Sequence, residues 1–309
     1  MIPRELLIST ESRAPGILVY GGAGMKKTHG ICTLPPPVLL LDIGEGGTGS
    51  LLPWVRRRRN SDQSDWTEYT QEQRESFVAL LHPGVQQTLP IKPRGYVDLI
   101  HFDNLRYESY EELVVTLANF DYTHYNSIAV DSLQELSVET QTFAKGKGNE
   151  MKLMNEISWS WVGAQERAQQ ALRKLRNYRD QGVFVYFTGS ETISKDYVRN
   201  PMEKRERGAS APEPYSVRGT VNLPGQLADG IGHVPDLLFH ARLMNNQPTW
   251  VTAPEPLPGG DAWWDAKDRY GRLEKYIEPN VRKICDKLYG EEGRKAIYAS
   301  GSARCTETG

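Results

Sequence analysis

The residues best equipped for chemistry lie in one short stretch, Gly21-Gly22-Ala23-Gly24-Met25-Lys26-Lys27-Thr28-His29. Its spacing follows the phosphate-loop pattern G-x-x-x-x-G-K-[ST], with Gly21 as the first glycine, Lys27 as the lysine and Thr28 as the hydroxyl residue. Glycines let successive backbone N–H groups converge on a polyphosphate, and the start of a following helix adds partial positive charge. The lysine reaches the β- and γ-phosphates and the hydroxyl holds Mg²⁺. One position departs from the pattern: Lys26 stands where the second glycine belongs. A β-carbon there strains the turn if the backbone needs positive φ, while the ammonium adds a second cation beside the phosphates. The plainer alternative is an ordinary glycine-rich turn between strand and helix.

Further polar groups fall at the ends of apolar runs. Asp42 closes Val38-Leu39-Leu40-Leu41, and Glu45 follows in the glycine-rich segment Ile43–Gly49. Asp131-Ser132 closes Ser127-Ile128-Ala129-Val130, and Thr188-Gly189-Ser190-Glu191 closes Val183–Phe187. Continuous apolar runs suit strands of a parallel sheet buried on both faces. The C-terminal ends of such strands share one crevice. Triphosphate hydrolysis there needs an acid for the Mg²⁺ shell and a group to orient water. Asp131 has the sequence form of the Mg²⁺-side (Walker B) acid, alongside Thr28. Glu45 is placed to polarise water, so Glu45 and Lys27 are the catalytic candidates. Thr188–Glu191 stands where such folds can sense the γ-phosphate and pass its state to the next loop. Helix N-capping is the structural alternative for Asp131, Ser132 and Asp42, a solvated loop acid for Glu45, and a plain turn for Thr188–Glu191.

Strands are expected near 17–20, 38–42, 96–102, 127–131 and 183–188. Helical character is read over 66–81 and 107–119, and most clearly over 157–181, where Trp161, Ala164, Ala168, Leu172, Leu175 and Tyr178 recur at spacings of three and four. Gly182 ends that helix, while Pro35-Pro36-Pro37 must end the one after the phosphate loop. Residues 53–95 read as an insertion carrying Arg56-Arg57-Arg58-Arg59, a solvated face or a phosphate contact. Residues 140–156 and 190–225 read as mobile loops. Late strands over 236–243 and 249–252 flank Asn245-Asn246, and 263–289 reads as partly helical with a frayed tail over 300–309. This gives an α/β fold with a mostly parallel central sheet flanked by helices, organised as a core over 1–260 and a C-terminal helical segment and flexible tail over 261–309.

With 309 residues the chain can bury a full core. A formal net charge of −2 gives no global attraction to nucleic acid, so any such contact must be a local patch. Cys32, Cys285 and Cys305 are far apart without metal-ligand spacing, which points to a reduced, cytoplasmic setting. No apolar run approaches the ~20 residues of a membrane helix, and no secretory signal is read at the N-terminus.

The order of these motifs resembles phage-type RecA-like ATPases, and more closely the single-domain nucleotide-binding proteins of bacteriophages, some of which anneal or recombine single-stranded DNA. The resemblance rests on Tyr-Gly-Gly-Ala-Gly with Lys-Lys-Thr, Pro-Val-Leu-Leu-Leu-Asp with Glu-Gly-Gly, Ile-Ala-Val-Asp-Ser-Leu-Gln-Glu-Leu, the Trp161–Tyr178 helix and Phe-Val-Tyr-Phe-Thr. It covers about 16–52 and 96–245. It implies a RecA-like core that binds and hydrolyses ATP with Mg²⁺ in phage recombination or replication. It also implies assembly into a ring or filament, and a single-strand-binding protein as a further partner. Two loops of the core would hold single-stranded DNA through Lys145, Lys147, Arg199, Lys204, Arg205, Arg207 and Arg218, with Tyr197 and Tyr215 available for stacking. A neighbour's Arg242, Lys267 or Arg269 would reach the phosphates. The chain departs from the family at Lys26, at Gly44, which lengthens the Asp-x-Glu spacing, and in the 53–95 insertion. The alternatives are a nucleotide-stabilised assembly protein that does not hydrolyse, or a helicase- or packaging-type motor.

Overall fold

The computed structural model describes residues 14–43, 51, 55–59, 66–68, 70, 72, 97–102, 122, 125–138, 140, 154–196, 216–223, 231, 234–257 and 262–304. The apolar runs become β1 (Gly16–Gly21), β2 (Val38–Ile43), β6 (Ser127–Asp131) and β7 (Phe184–Gly189), each buried along its whole length. Between them in sequence come β3 (Val55–Arg59), β4 (Trp66–Glu68) and β5 (Val97–Phe102). Later follow β8 (Glu191–Asp196), β9 (Ser216–Val221), β10 (Leu237–Met244) and β11 (Gln247–Val251). Among the described residues, four two-residue strands follow: β12 (Glu255–Pro256), β13 (Trp263–Trp264), β14 (Lys267–Asp268) and β15 (Tyr276–Ile277). The long helices are α1 (Met154–Asn177) and α2 (Val281–Arg304).

The main sheet runs β15-β11-β10-β1-β7-β6-β2-β5-β3-β4, with β14 also paired to β10. Every pairing from β10 across to β3 is parallel, and antiparallel pairs appear only at the two edges. The fold is therefore mixed α/β with a mostly parallel central sheet, and few helices flank it. Leu18, Leu39, Leu41, Val130, Val185 and Phe187 face α1, which buries Ala164, Ala168, Leu172 and Leu175 against them. The opposite face, with Ile17, Val19, Leu40, Phe239 and Trp250, is covered by Val281, Ile284 and Leu288 of α2. The helical spacing read from 164 to 175 thus has a physical counterpart in one buried stripe.

Chain direction makes the crevice. From β1 the chain crosses to β2 on one side, and later it returns to β10 on the other side of β1. Ligands of open parallel sheets bind beyond the strand C-termini at such a switch point. The opposite ends of the strands are fixed by ion pairs. Asp236 is bonded by Arg179 at 2.5 Å and by Arg269 at 2.8 Å, and also accepts from the backbone N–H of Gly16.

Several sequence expectations change. The stretch 190–225 is not a plain loop: β8 and β9 pair antiparallel within it, and β9, β13 and β12 extend them into a second four-stranded sheet. Helical character at Trp66 gives way to an edge strand, because Trp66–Glu68 pairs with Arg57–Arg59. The arginine run is a strand parallel to β5. From 263 to 277 the chain makes short strands that pair with β9, β10 and β11, and it becomes helical only at Val281. The expected hairpin is present: Asn245 and Asn246, at φ 51° and 60°, turn β10 into β11, as the two residues of a tight hairpin require. The helix expected at 107–119 lies outside the described residues.

Candidate functional site

The loop after β1 takes its shape from close packing. Gly21 sits at φ +153°, and a β-carbon there would lie 2.1 Å from the carbonyl oxygen of Ala241 on β10. The chain then turns through Gly24 at φ +75° and Lys26 at φ +56°. Lys26 therefore holds the left-handed backbone for which the motif uses glycine, and it does so with its side chain exposed. From Thr28 to Thr33 the chain forms a single 3₁₀ helix rather than a full α-helix. The proline run closes it early, so the dipole contribution expected from a helix start is small.

Three contacts with no mark in the sequence hold this loop in place. The Tyr186 hydroxyl, from β7, donates to the Lys27 carbonyl at 2.7 Å. A β-carbon on Gly30 would lie 2.4 Å from that hydroxyl oxygen and 2.7 Å from the Trp250 ring, so the helix packs directly on both. At its far end, Thr33 Oγ1 accepts from the backbone N–H of Val281 at 2.9 Å, tying the loop helix to the start of α2. In sequence Tyr186 looks like one more apolar strand residue. Its alternation to the loop side of β7 was the only available signal.

The polar groups meet at the strand ends. Thr28 Oγ1 donates to Asp131 Oδ2 at 2.8 Å, and the Thr188 hydroxyl donates to the other oxygen of the same carboxylate. Asp42 is opposite Asp131 in the β2–β6 register, and both are buried. Lys27 Nζ donates to the carbonyls of Gly21 and Gly22 at 2.8 and 2.6 Å. Ala23, Gly24, Lys27, Thr28, Asp42 and Asp131 line one cleft with Ser132, Gln134 and Thr188–Ser190, about 180 Å³ in volume. That is less than the ~300–1,000 Å³ of typical whole-ligand sites, and its lining suits the phosphate end of a ligand. Burial pushes the Asp131 carboxyl above its ordinary range, and Asp42 adds to this; the bonds from Thr188 and Thr28 and the charge of Lys27 oppose it.

The donor set fits a hard cation. Mg²⁺ prefers carboxylate and hydroxyl oxygens and keeps several waters, and Thr28, Asp131 and Asp42 offer such oxygens on one wall. Among the described residues no cluster of three His, Cys, Asp or Glu forms a metal cage. A cation here would therefore complete its shell with phosphate and water.

Other candidates are dispersed. Glu45, Lys145, Lys147, Arg199, Lys204, Arg205, Arg207, Tyr197 and Tyr215 lie outside the described residues. Gly22, Ala23, Met25 and His29 stand in the loop and its 3₁₀ helix as read. Arg218 is on β9, half-buried and in register with the exposed Trp263. Arg242 pairs with Glu255 at 3.0 Å. Arg269 is held by Asp236, and Lys267 pairs with the start of β10, both at the strand ends opposite the loop. Among the described residues no helix is long and apolar enough to cross a membrane. Compared with protein-family models and with curated proteins, the chain matches none.

Proposed function

We propose that the chain binds a Mg²⁺–nucleoside triphosphate, ATP in the first instance, on Gly21–Thr28 and hydrolyses it as a RecA-like ATPase. One observation carries the reading. Thr28 of the loop and Thr188 of the neighbouring strand are bonded to the two oxygens of one buried carboxylate, Asp131, inside the cleft that Lys27 lines. The cap of the following helix is made by Ser132, whose hydroxyl accepts from the Glu135 backbone N–H, so the Asp131 carboxylate is left to the two threonines. The strand order supports the same reading, because β7 stands between β1 and β6 and carries Thr188, with Ser190 just beyond its end, to the cleft.

In this reading Lys27 leaves the Gly21 and Gly22 carbonyls to bind the β- and γ-phosphates, which offer it stronger, charge-assisted bonds. Thr28 and Asp131 would hold Mg²⁺, which would neutralise phosphate charge. Glu45 orients water. Single-stranded DNA is the proposed partner, held by the basic residues of 140–156 and 190–225, in a self-assembled ring or filament. The test is ATP turnover with and without single-stranded DNA in Mg²⁺ buffer. Turnover that rises with the strand supports the full reading. Nucleotide binding without turnover leaves a non-hydrolysing assembly protein, and directional strand separation indicates a motor.

A further inference from the structure

Glu191 opens β8 directly after Ser190, a residue of the cleft wall. Its carboxylate does not turn away to solvent. One oxygen accepts from or shares a proton with His240 Nε2 at 2.9 Å. The other, Oε1, would be 3.5 Å from a β-carbon on Gly22, so it faces the second residue of the phosphate loop. Lys27 Nζ is bonded to the carbonyl of that same Gly22. The carboxylate thus faces the residue whose carbonyl Lys27 bonds, next to the cleft that Lys27 and Ser190 line.

His240 is built to aim that carboxylate. It is 4 % exposed and stacks on the Trp264 ring at 4.2 Å, while the Tyr20 ring, 5.2 Å from the imidazole and 6.4 Å from Trp264, packs beside both. Tyr20 is fixed in turn by its hydroxyl, which donates to the Asp265 carbonyl. Burial holds the imidazole below its ordinary value, assisted by Arg242 and opposed by Glu191 and Glu255. A carboxylate oxygen accepts, so the bond at 2.9 Å calls for the proton on Nε2, and Nδ1 has no partner among the described residues. The two rings thus pack around an imidazole whose bonded carboxylate, 37 % exposed, faces the loop.

Resting on the proposed triphosphate site, we infer that Glu191 is a second water-orienting carboxylate at the terminal phosphate, with His240 as its positioning residue. The water oxygen bonds to the γ-phosphorus as the bridging P–O bond to the β-phosphate breaks. The bonding pair leaves with the diphosphate, and the water proton passes to the free Glu191 oxygen and on to solvent. The His240 Nε2 bond keeps the second oxygen occupied, so the free oxygen is the one that meets water.

The test compares the parent, Glu191→Gln, Glu191→Asp and His240→Gln by turnover and by affinity for ADP and for a non-hydrolysable triphosphate analogue. Removing the Glu191 charge should cut turnover about 10²-fold. ADP affinity should hold, while the analogue binds several-fold tighter relative to ADP because a negative group facing the γ-phosphate is gone. His240→Gln should lower turnover with ADP affinity retained. If that variant does not fold, Glu191→Asp, which withdraws the carboxylate from both His240 and Gly22, should give the same loss. Parental turnover and a parental analogue-to-ADP ratio in Glu191→Gln overturn the inference while leaving the triphosphate site standing. A parent that binds nucleotide without turnover overturns the water-orienting role. A parent that binds neither nucleotide overturns the phosphate-loop reading beneath it.

Discussion

Replacing Lys26 by glycine isolates the departure that sets this loop apart. Lys26 holds φ +56°, a region where a β-carbon crowds the following carbonyl at a cost of about 1–2 kcal/mol. Glycine removes that crowding but gives the unfolded chain more freedom, which costs about 0.4–1 kcal/mol. The net expectation for Lys26→Gly is a gain of about 0.5–1 kcal/mol, or roughly 2 °C in Tm for a chain of this length. Lys26→Ala is the control: it removes the ammonium and keeps the β-carbon, so it should stay within about 0.5 kcal/mol of the parent. Urea unfolding followed by tryptophan fluorescence, with seven tryptophans as reporters, measures both. Nucleotide affinity separates charge from strain. An exposed cation contributes about 0.2–1 kcal/mol, so both variants should lose affinity alike, by no more than about five-fold. If Lys26→Gly is less stable than the parent, or alanine stabilises as much as glycine, the left-handed backbone at this position is wrong.

Two other perturbations follow from buried carboxylates. Asp236→Ala leaves Arg179, 1 % exposed, without its counter-charge, and should cost about 3–5 kcal/mol in chemical unfolding. Asp131→Asn should act in the opposite direction. The folded carboxyl is raised above its ordinary value of 3.8 by burial, so above that pH the folded state binds more protons than the unfolded state, and stability falls as pH rises through the folded value. The asparagine variant escapes this loss. Without Mg²⁺ or nucleotide it should be more stable than the parent, on the order of 1 kcal/mol at neutral pH after weaker hydrogen bonds are allowed for. The gap should close toward pH 4. Melting curves across pH measure it, and Mg²⁺–ATP should raise the Tm of the parent more than that of the variant.

What could be read in advance followed from local physics. Uninterrupted apolar runs placed β1, β2, β6 and β7, and the three-four spacing from Ala164 to Leu175 placed α1 and its buried stripe. The acid at the end of β6 was legible because a parallel sheet puts function at its C-terminal edge. β8 was not legible, since Glu191-Thr192-Ile193-Ser194-Lys195-Asp196 is polar on both faces and becomes a strand only through its partner β9, 20 residues on. Trp66 was misread because β4 is specified by its pairing with the arginine strand. The Glu191–His240 pair spans 49 residues and depends on β10 returning beside β1, a matter of topology. Tyr186 carried no local mark of its bond to the loop.

The central claim is that Gly21–Thr28 holds a triphosphate through Lys27. Calorimetric titration of Mg²⁺–ATP into the parent and into Lys27→Ala tests it most directly. The parent should show saturable one-site binding and the variant none, with both proteins unfolding at similar denaturant concentrations. Equal binding by the two proteins, or none by a folded parent, would contradict it.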